Sequence, residues 1–305
     1  MMFMLIQTRC AICNTLDNAR LLYKERLPSE GIGSEPYAPR RKRDYYHYKM
    51  VKCNTCGLVR SDPIIGHQDL PKLYHDSKCT YTDVNENTPL KKTYGKYLEY
   101  LIENFGVEKD SYLDIGCANG FMLERAQELG FTNIVGVEPS HDAIERAGIN
   151  IRPKIKEGMF DENMFEPEQF DVITFFQTFD HVTDPNKFLE NCHRTLKHNG
   201  FVLAINHNVN SLSAKILGER SPIFDIGHAY LYDLKTMRTI FEKNHFKVHS
   251  VFPVKNTISI GRIIQLLPTG KKTSKMLEKI ISKTGLESVN LPLYVGNLGI
   301  IAQRL

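Results

Sequence analysis

Long apolar runs are missing from this chain. The early segment MFMLIQ stops at Thr8, too short for a secretory h-region and with no small-residue cleavage site behind it. Nothing later approaches the roughly 20 apolar residues that span a bilayer, so a cytoplasmic protein is expected. An internal repeat and a low-complexity tract are also lacking, which sets aside repeat arrays and disordered scaffolds. Nor is there a strong excess of one charge: 39 Lys and Arg stand against 35 Asp and Glu, a net of +4. With 42% hydrophobic and 24% charged residues, the composition is that of a globular protein, and 305 residues suit one large domain plus a small one.

The charge that is present is uneven. Residues 1–60 hold eleven Lys and Arg against five Asp and Glu, a net of +6, which leaves −2 for the remainder. A basic terminal region can meet the phosphates of RNA, a nucleotide or a lipid headgroup, or can simply be a solvated face. Seven cysteines cannot all pair, and four of them form two C-x-x-C units, Cys10/Cys13 and Cys53/Cys56. In a cytosolic chain such pairs point to metal before disulfides. Each x-x turn aims two sulfurs at one point, and two such knuckles with 39 residues between them match a zinc ribbon of four thiolates. A region this small buries little core, so the ion substitutes for one. Cys79, Cys117 and Cys192 read as small buried apolar residues.

Residues 61–85 read as a connector. Tyr94, Tyr97, Leu98, Leu101, Ile102 and Phe105 then fall on one helical face. From residue 111 strands and helices alternate. YLDIG is a strand, FMLERAQELG a helix ending at Gly130, NIVGVE a strand, and SHDAIERA a helix capped by Ser140. FDVITFF is a buried strand, and the next helix begins at Asp184 and Pro185. GFVLAIN, DLKTMRTIFEKN, FKVHSVFPV and NLGIIAQR complete the pattern. Such alternation predicts an α/β fold with a mostly parallel sheet covered on both faces. Residues 261–288 are basic and amphipathic, with six Lys and Arg against two Glu. They suit a lid or packed helical insertion, or a weak peripheral contact with a membrane surface.

In an open α/β sheet, ligands bind beyond the carboxyl ends of the strands. The segment DIGCANG, with Asp114, Gly116, Ala118 and Gly120, lies at such an end. Small residues there let a backbone approach its ligand. The next strand ends in Glu138, 24 residues after Asp114, where a carboxylate can accept from both hydroxyls of a ribose. A dinucleotide site wants G-x-G-x-x-G facing a pyrophosphate. The spacing here is D-x-G-x-A-x-G, and the early acid suits a cofactor with a cationic amino-acid end and no phosphate.

This set resembles the class I S-adenosylmethionine-dependent methyltransferases, whose first motif reads acid-x-G-x-G-x-G; Ala118 replaces the middle glycine. The resemblance runs on through GVEPS, FDVITFFQTFDHVTDP and LKHNGFVLAIN. It implies a Rossmann-like, mostly parallel seven-stranded sheet preceded by the zinc ribbon. Residues 1–75 would be the ribbon, 76–110 a helical connector, and 111–305 the methyltransferase domain. The resemblance also implies that Asp114, Gly116, Ala118 and Gly120 line the methionine and ribose portion and that Glu138 takes the ribose hydroxyls. Pro139 and Ser140 would lie beside the adenine, with Phe160 or Asp161 adding a contact. Gln177, Thr178 and Phe179 would face the sulfonium.

With CAIC, YHYKMVKCNTCGLVRSDPI and FDIGHAYLYDLKTMRTIFEKNHF, the chain resembles methyltransferases of sugar and surface-polysaccharide pathways. In the sugar C-methyltransferases an acid precedes the general-base histidine; here Gly227 precedes His228. That departure leaves O- or N-methylation of a sugar-like acceptor open. Methyl displacement needs an acceptor held in line, plus a base where the acceptor carries a proton. His228 is the first candidate, His207 the second and His181 the third, all in loops at the carboxyl end of the sheet. Each alternatively serves only to hold its loop. Tyr74 and Tyr81 of the connector are carried over as acceptor-pocket residues, or as aromatics between two domains.

Two rival functions remain. A zinc-module RNA methyltransferase suits the basic, aromatic PRRKRDYYHYK stretch, but QTFD replaces the N/D-P-P-aromatic loop of base N-methylation. A binding protein without catalysis is the other. The expected cofactors are S-adenosyl-L-methionine and Zn2+, the expected partner is a small sugar-like molecule, and the chain acts as a monomer or homodimer.

Overall fold

A computed structural model describes residues 4–29, 31–38, 45–78, 88–261 and 289–305, with 264, 280–282 and 284–286. Tyr81, Cys79, the RRKRD run and most of the expected insertion at 261–288 lie outside the described residues.

The N-terminal region comprises β1 (Leu5–Ile6), β2 (Ala19–Tyr23), β3 (Met50–Cys53), β4 (Val59–Ser61), β5 (Ile64–Ile65) and a short helix α1 (Leu70–His75). A longer helix follows, α2 (Thr88–Phe105), which buries Tyr94, Leu98 and Leu101 as their spacing requires. Each such side chain stabilises the fold by about 1.5–3 kcal/mol.

The alternating part then runs β6 (Ser111–Ile115), α3 (Phe121–Glu128), β7 (Asn133–Glu138), α4 (His141–Glu145), β8 (Ile155–Glu157), β9 (Phe170–Phe176), α5 (Pro185–Thr195), β10 (Leu196–His207) and α6 (Leu212–Leu217). It closes with β11 (Tyr230–Leu231), α7 (Leu234–Lys243), β12 (Phe246–Ser259) and β13 (Asn290–Arg304). Side chains set the helix starts. The Ser140 hydroxyl accepts from the Ala143 N–H, Asp184 accepts from Lys187 with Pro185 next to it, and Asp233 and Thr236 form a capping box. The last two strands run longer than FKVHSVFPV and NLGIIAQR, because they pair with each other from Phe246↔Arg304 to Ser259↔Asn290.

The central sheet has seven strands in the order β12-β13-β10-β9-β6-β7-β8. The pairs among β6 to β10 are parallel, and β13 runs antiparallel between β10 and β12. Both faces are buried. Along β9, Ile173 and Phe175 join one core with Phe188, Leu189 and Phe241, while Val172 and Phe176 join the other with Tyr94 and Leu98. Continuous burial of β9 follows from this two-sided cover. The chain leaves β6 towards β7 and β8, then returns to β9 on the other side, so the crevice opens where strand order reverses.

The smaller sheet, β11-β4-β3-β2, is antiparallel. Its outer strand β11 comes from far along the chain, pairing Tyr230 with Arg60 and Leu231 with Val59. Arg60 is buried at 1% exposure, where its guanidinium donates to the carbonyls of Thr8 and Leu16 and to the Thr8 hydroxyl. β1 and β5 form a separate antiparallel pair. No helix among the described residues is long and apolar enough to cross a membrane.

Candidate active site

The loop after β6 turns through left-handed backbone at Gly116 (φ +72°), Ala118 (φ +50°) and Gly120 (φ +74°). Ala118 thus takes the conformation that a glycine would supply. A Cβ on Gly116 would lie 2.4 Å from the Thr178 Oγ1, and one on Gly120 would lie 2.4 Å from Ile151. Space and backbone therefore both require glycine at these two positions. The N–H groups of Gly116 and Cys117 donate to the Val137 carbonyl at 2.8 and 3.1 Å, tying the loop to β7.

Two buried carboxylates flank the loop. Asp114 accepts from the Thr174 hydroxyl at 2.7 Å, and burial pushes its carboxyl up to about 7. Glu138 accepts from the Ala118 N–H at 2.8 Å and the Ser140 N–H at 2.9 Å, yet burial outweighs these bonds and its carboxyl also stands at about 7. No cation among the described residues lies within ion-pair reach of either. A pair of unneutralised buried acids is costly to ionise, and a cationic ligand removes that cost. Gln177, at the end of β9, has φ +54° and donates its N–H to the Ile205 carbonyl at 2.7 Å; its Oε1 is buried without a partner.

Across the same edge, three imidazoles gather around one acid. Asp180 is fully buried in the turn after β9, and its Oδ2 accepts from Nδ1–H of His207, at the end of β10, at 2.6 Å. The Asp180 Oδ1 is buried with no partner. Burial alone would raise this carboxyl; His207, and then His228 and His181, hold it well below the usual range. The His228 Nδ1–H donates to the Ile223 carbonyl at 2.7 Å, which leaves the lone pair on Nε2. Its ring lies 4.8 Å from that of His207 and 4.7 Å from that of His181. Burial lowers His228 and, with the His228 charge, pushes His181 down to about 4. The His181 Nδ1 meets the Tyr74 hydroxyl at 3.1 Å.

The structure accounts for Gly227. A Cβ there would sit 3.0 Å from the His181 ring and 3.4 Å from the Asp225 carboxylate, so a side chain before His228 is crowded and would have to displace that ring by a few tenths of an ångström. Asp180 brings a carboxylate to the imidazoles from another segment. The small sheet holds the same spot: the Ser61 hydroxyl donates to the His228 carbonyl at 2.7 Å, and the Ser61 N–H to the Ala229 carbonyl at 2.9 Å. A narrow cavity beside the imidazoles is lined by Tyr37, Tyr48, Ile65, Leu70, His181 and Gly227.

The four cysteines of the two C-x-x-C units converge. Cys10 and Cys56 sulfurs lie 3.4 Å apart and Cys13 and Cys53 sulfurs 4.0 Å apart, and all four are within 4.8 Å of one another. A tetrahedral ion at the usual zinc–thiolate bond length separates its sulfurs by about 3.8 Å, so the donor set fits. Asn14 and Gly57, which follow the two pairs, both take positive φ (57° and 83°) and close matching turns.

Of the residues singled out from sequence, the loop set, Glu138, Ser140 and Gln177 lie along one stretch of the sheet edge, with Pro139 between Glu138 and Ser140. His181, His207, His228 and Tyr74 meet at the other. Asp161 is exposed and accepts from the Asn163 N–H at 2.7 Å within its own turn. Asp180 was not singled out. Its signal was present, an acid just after a fully buried strand and directly before His181.

Three comparisons bear on this geometry. The family described as a methyltransferase domain matches residues 88–251. The ubiquinone biosynthesis O-methyltransferase of Pseudomonas aeruginosa is 26% identical over 171 residues, covering 50% of this chain and 69% of that protein. The protein of the same description from Chelativorans sp. is 33% identical over 117 residues, covering 35% of this chain and 44% of that protein. Among solved structures, a chain of the complex between the Haloferax volcanii Trm112 methyltransferase activator and a putative methyltransferase superposes with a TM-score of 0.50 at 14% identity. That match covers 72% of this chain and 94% of the other, and it bears on the fold alone.

Proposed function

Because the chain belongs to the class I S-adenosylmethionine-dependent methyltransferase family, we propose that it methylates a proton-bearing atom of a small, sugar-like acceptor, with His228 as the base. The observation that carries the cofactor half is the pair of buried, unneutralised carboxylates, Asp114 and Glu138, beside a loop that only small residues fit. Loop residues Gly116, Ala118 and Gly120 would hold the cofactor with those acids. Pro139, Ser140, Gln177 and, from its exposed turn, Asp161 would border it. Bound S-adenosylmethionine supplies a methyl group on an electrophilic sulfonium.

The chain's own residues then manage the acceptor and its proton. Burial keeps His228 neutral at pH 7, with its lone pair on Nε2. On methylation the acceptor's proton would pass to that nitrogen. The Asp180 carboxylate stabilises the imidazolium that results and orients His207. His181, pushed down to about 4, is a poor base and instead pairs with Tyr74. Tyr74 is proposed to border a polyol acceptor, and Tyr81, which lies outside the described residues, keeps the acceptor role that the sequence resemblance implies. A phenolic acceptor is the second reading. It is supported by the apolar lining from Ile64, Ile65, Leu70 and Ile226 and by the names of the relatives.

We assign residues 1–75 to a zinc-ribbon unit, with Cys10, Cys13, Cys53 and Cys56 as ligands, residues 76–110 to the connector and 111–305 to the methyltransferase unit. Zinc would act structurally, holding Ser61 against His228. Metal analysis should find zinc, and Cys53→Ser should release it.

The deciding experiment transfers labelled methyl from S-adenosylmethionine into fractionated extract. Label in small nucleotide-containing material is expected. Label in the lipid and quinone fraction would select the phenolic reading, and label in RNA would overturn both.

A further inference from the structure

A second cluster of metal-ligating side chains lies away from the cysteines and from the buried imidazoles. It joins His75 at the end of α1, His141 at the start of α4 and Glu157 at the end of β8. The ligand atoms of all three lie within 4.8 Å of one another. We propose that His75, His141 and Glu157 form a surface site for a divalent transition-metal ion, zinc in the first instance, that pins α1 to the ends of β7 and β8.

Distances support an ion between these groups. The His75 Nε2 lies 3.4 Å from one Glu157 oxygen, and the His141 Nδ1 lies 3.2 Å from the other. Tetrahedral zinc with nitrogen and oxygen ligands at about 2.0–2.1 Å sets neighbouring donors about 3.3–3.4 Å apart. Ligand type selects the metal. Two imidazoles and one carboxylate suit zinc and its neighbours, whereas magnesium and calcium prefer all-oxygen sets. Three protein ligands leave a position for water.

Orientation supports it further. The His75 Nδ1 meets the Asp76 Oδ1 at 3.0 Å, which leaves its Nε2 to face Glu157. An outer carboxylate that fixes ring and tautomer is the usual support of a metal-bound histidine. The two rings are stacked, 5.8 Å between centroids and 29° between planes.

Placement gives the site a consequence. Consecutive residues of α1 reach two places: Tyr74 meets His181, and His75 faces Glu157. A second contact follows the same line, with the Ser77 and Ser140 hydroxyls 3.5 Å apart. An ion at the cluster would therefore anchor the helix that carries Tyr74.

The test is zinc uptake by the full chain, with no S-adenosylmethionine present. Equilibrium dialysis against micromolar Zn2+ should give about two ions per chain, one at the cysteines and one here. His141→Ala and Glu157→Gln should each bring that to about one. All three ligands are exposed, so these variants should melt with the parent chain. His198→Ala, at an exposed histidine on β10, should keep both ions. Uptake of one ion by the parent chain, or of two by His141→Ala, overturns the site; so does equal loss in His198→Ala.

Discussion

The proposed cofactor side of the site is drawn from a single stretch, Asp114 to Gln177, with its loop and both acids inside Asp114–Glu138. The proposed acceptor side collects Tyr74, Asp180, His181, His207 and His228 from four places along the chain. The first is shaped by backbone: positive φ at three loop positions, N–H groups bonding Glu138, and space that a Cβ would fill. The second is shaped by side chains that meet only once the sheet has formed and the N-terminal region has docked, through Ser61 and Tyr74. A loop of the first kind serves any acceptor with one cofactor. A cluster of the second kind can change acceptor while the cofactor side stays as it is.

Removing the base is the sharpest way to separate the two sides. His228→Ala should lower turnover by about 10²–10⁴-fold while S-adenosylmethionine affinity, measured by calorimetry, stays unchanged. An equal loss of cofactor affinity would mean that the two sides are not independent. Unchanged turnover would remove His228 as the base.

The cofactor side should respond to pH by itself. Asp114 and Glu138 stand at about 7, against ordinary values of 3.8 and 4.5. Below pH 7 each must shed a proton before Asp114 can face the cationic end of the cofactor and Glu138 can accept from both ribose hydroxyls. Affinity for the cofactor should thus weaken as pH falls from 8 to 6, by about tenfold for each carboxylate that has to ionise. Stability of the free chain has the opposite sign. The raised carboxyls favour the folded state at low pH, and that contribution is lost as pH rises from about 4 to 7. Cofactor should restore that stability increasingly as pH rises through 7 towards 8, where both carboxylates can ionise. A melting temperature shift by S-adenosylmethionine that stays flat with pH would contradict the pairing.

Much of the cofactor side was legible in the sequence, because its determinants are local. The strand ends at Ile115 and Glu138, the cap at Ser140 and the glycine spacing follow from short-range rules. The alanine at 118 was legible as a departure; that it keeps left-handed backbone was not. On the acceptor side the three histidines stood out by position, but their acid did not. Family pattern directed attention to the residue before His228, where the His181 ring crowds any side chain. Pairing between Asp180 and His207 crosses two strands and 27 residues, and periodicity carries no such register. Nor could the sequence show β11 completing the small sheet, since two residues give no strand pattern. Asp180→Asn tests the residue that was missed. Its carboxylate supports the protonated form of His228, so the variant should lose about tenfold in turnover, about 1.4 kcal/mol. The acidic limb of its pH–rate profile should move to lower pH.

Tyr74→Phe makes the smallest change and tests whether the acceptor side depends on the connector. Burial pushes the Tyr74 hydroxyl up, so it stays protonated and pairs with the His181 Nδ1. Removing it deletes one hydrogen bond worth about 0.5–1.5 kcal/mol and leaves His181 without that partner. The aromatic ring remains, edge-on to Tyr37 at 5.2 Å, so packing is kept. The kcat/KM for the acceptor should fall by a few-fold through a higher KM, with cofactor affinity unaltered. His228 keeps its own bond to the Ile223 carbonyl and its neighbours Asp180 and His207, so kcat should change little. A loss confined to kcat would instead put Tyr74 in the proton path, acting through His181 on the base.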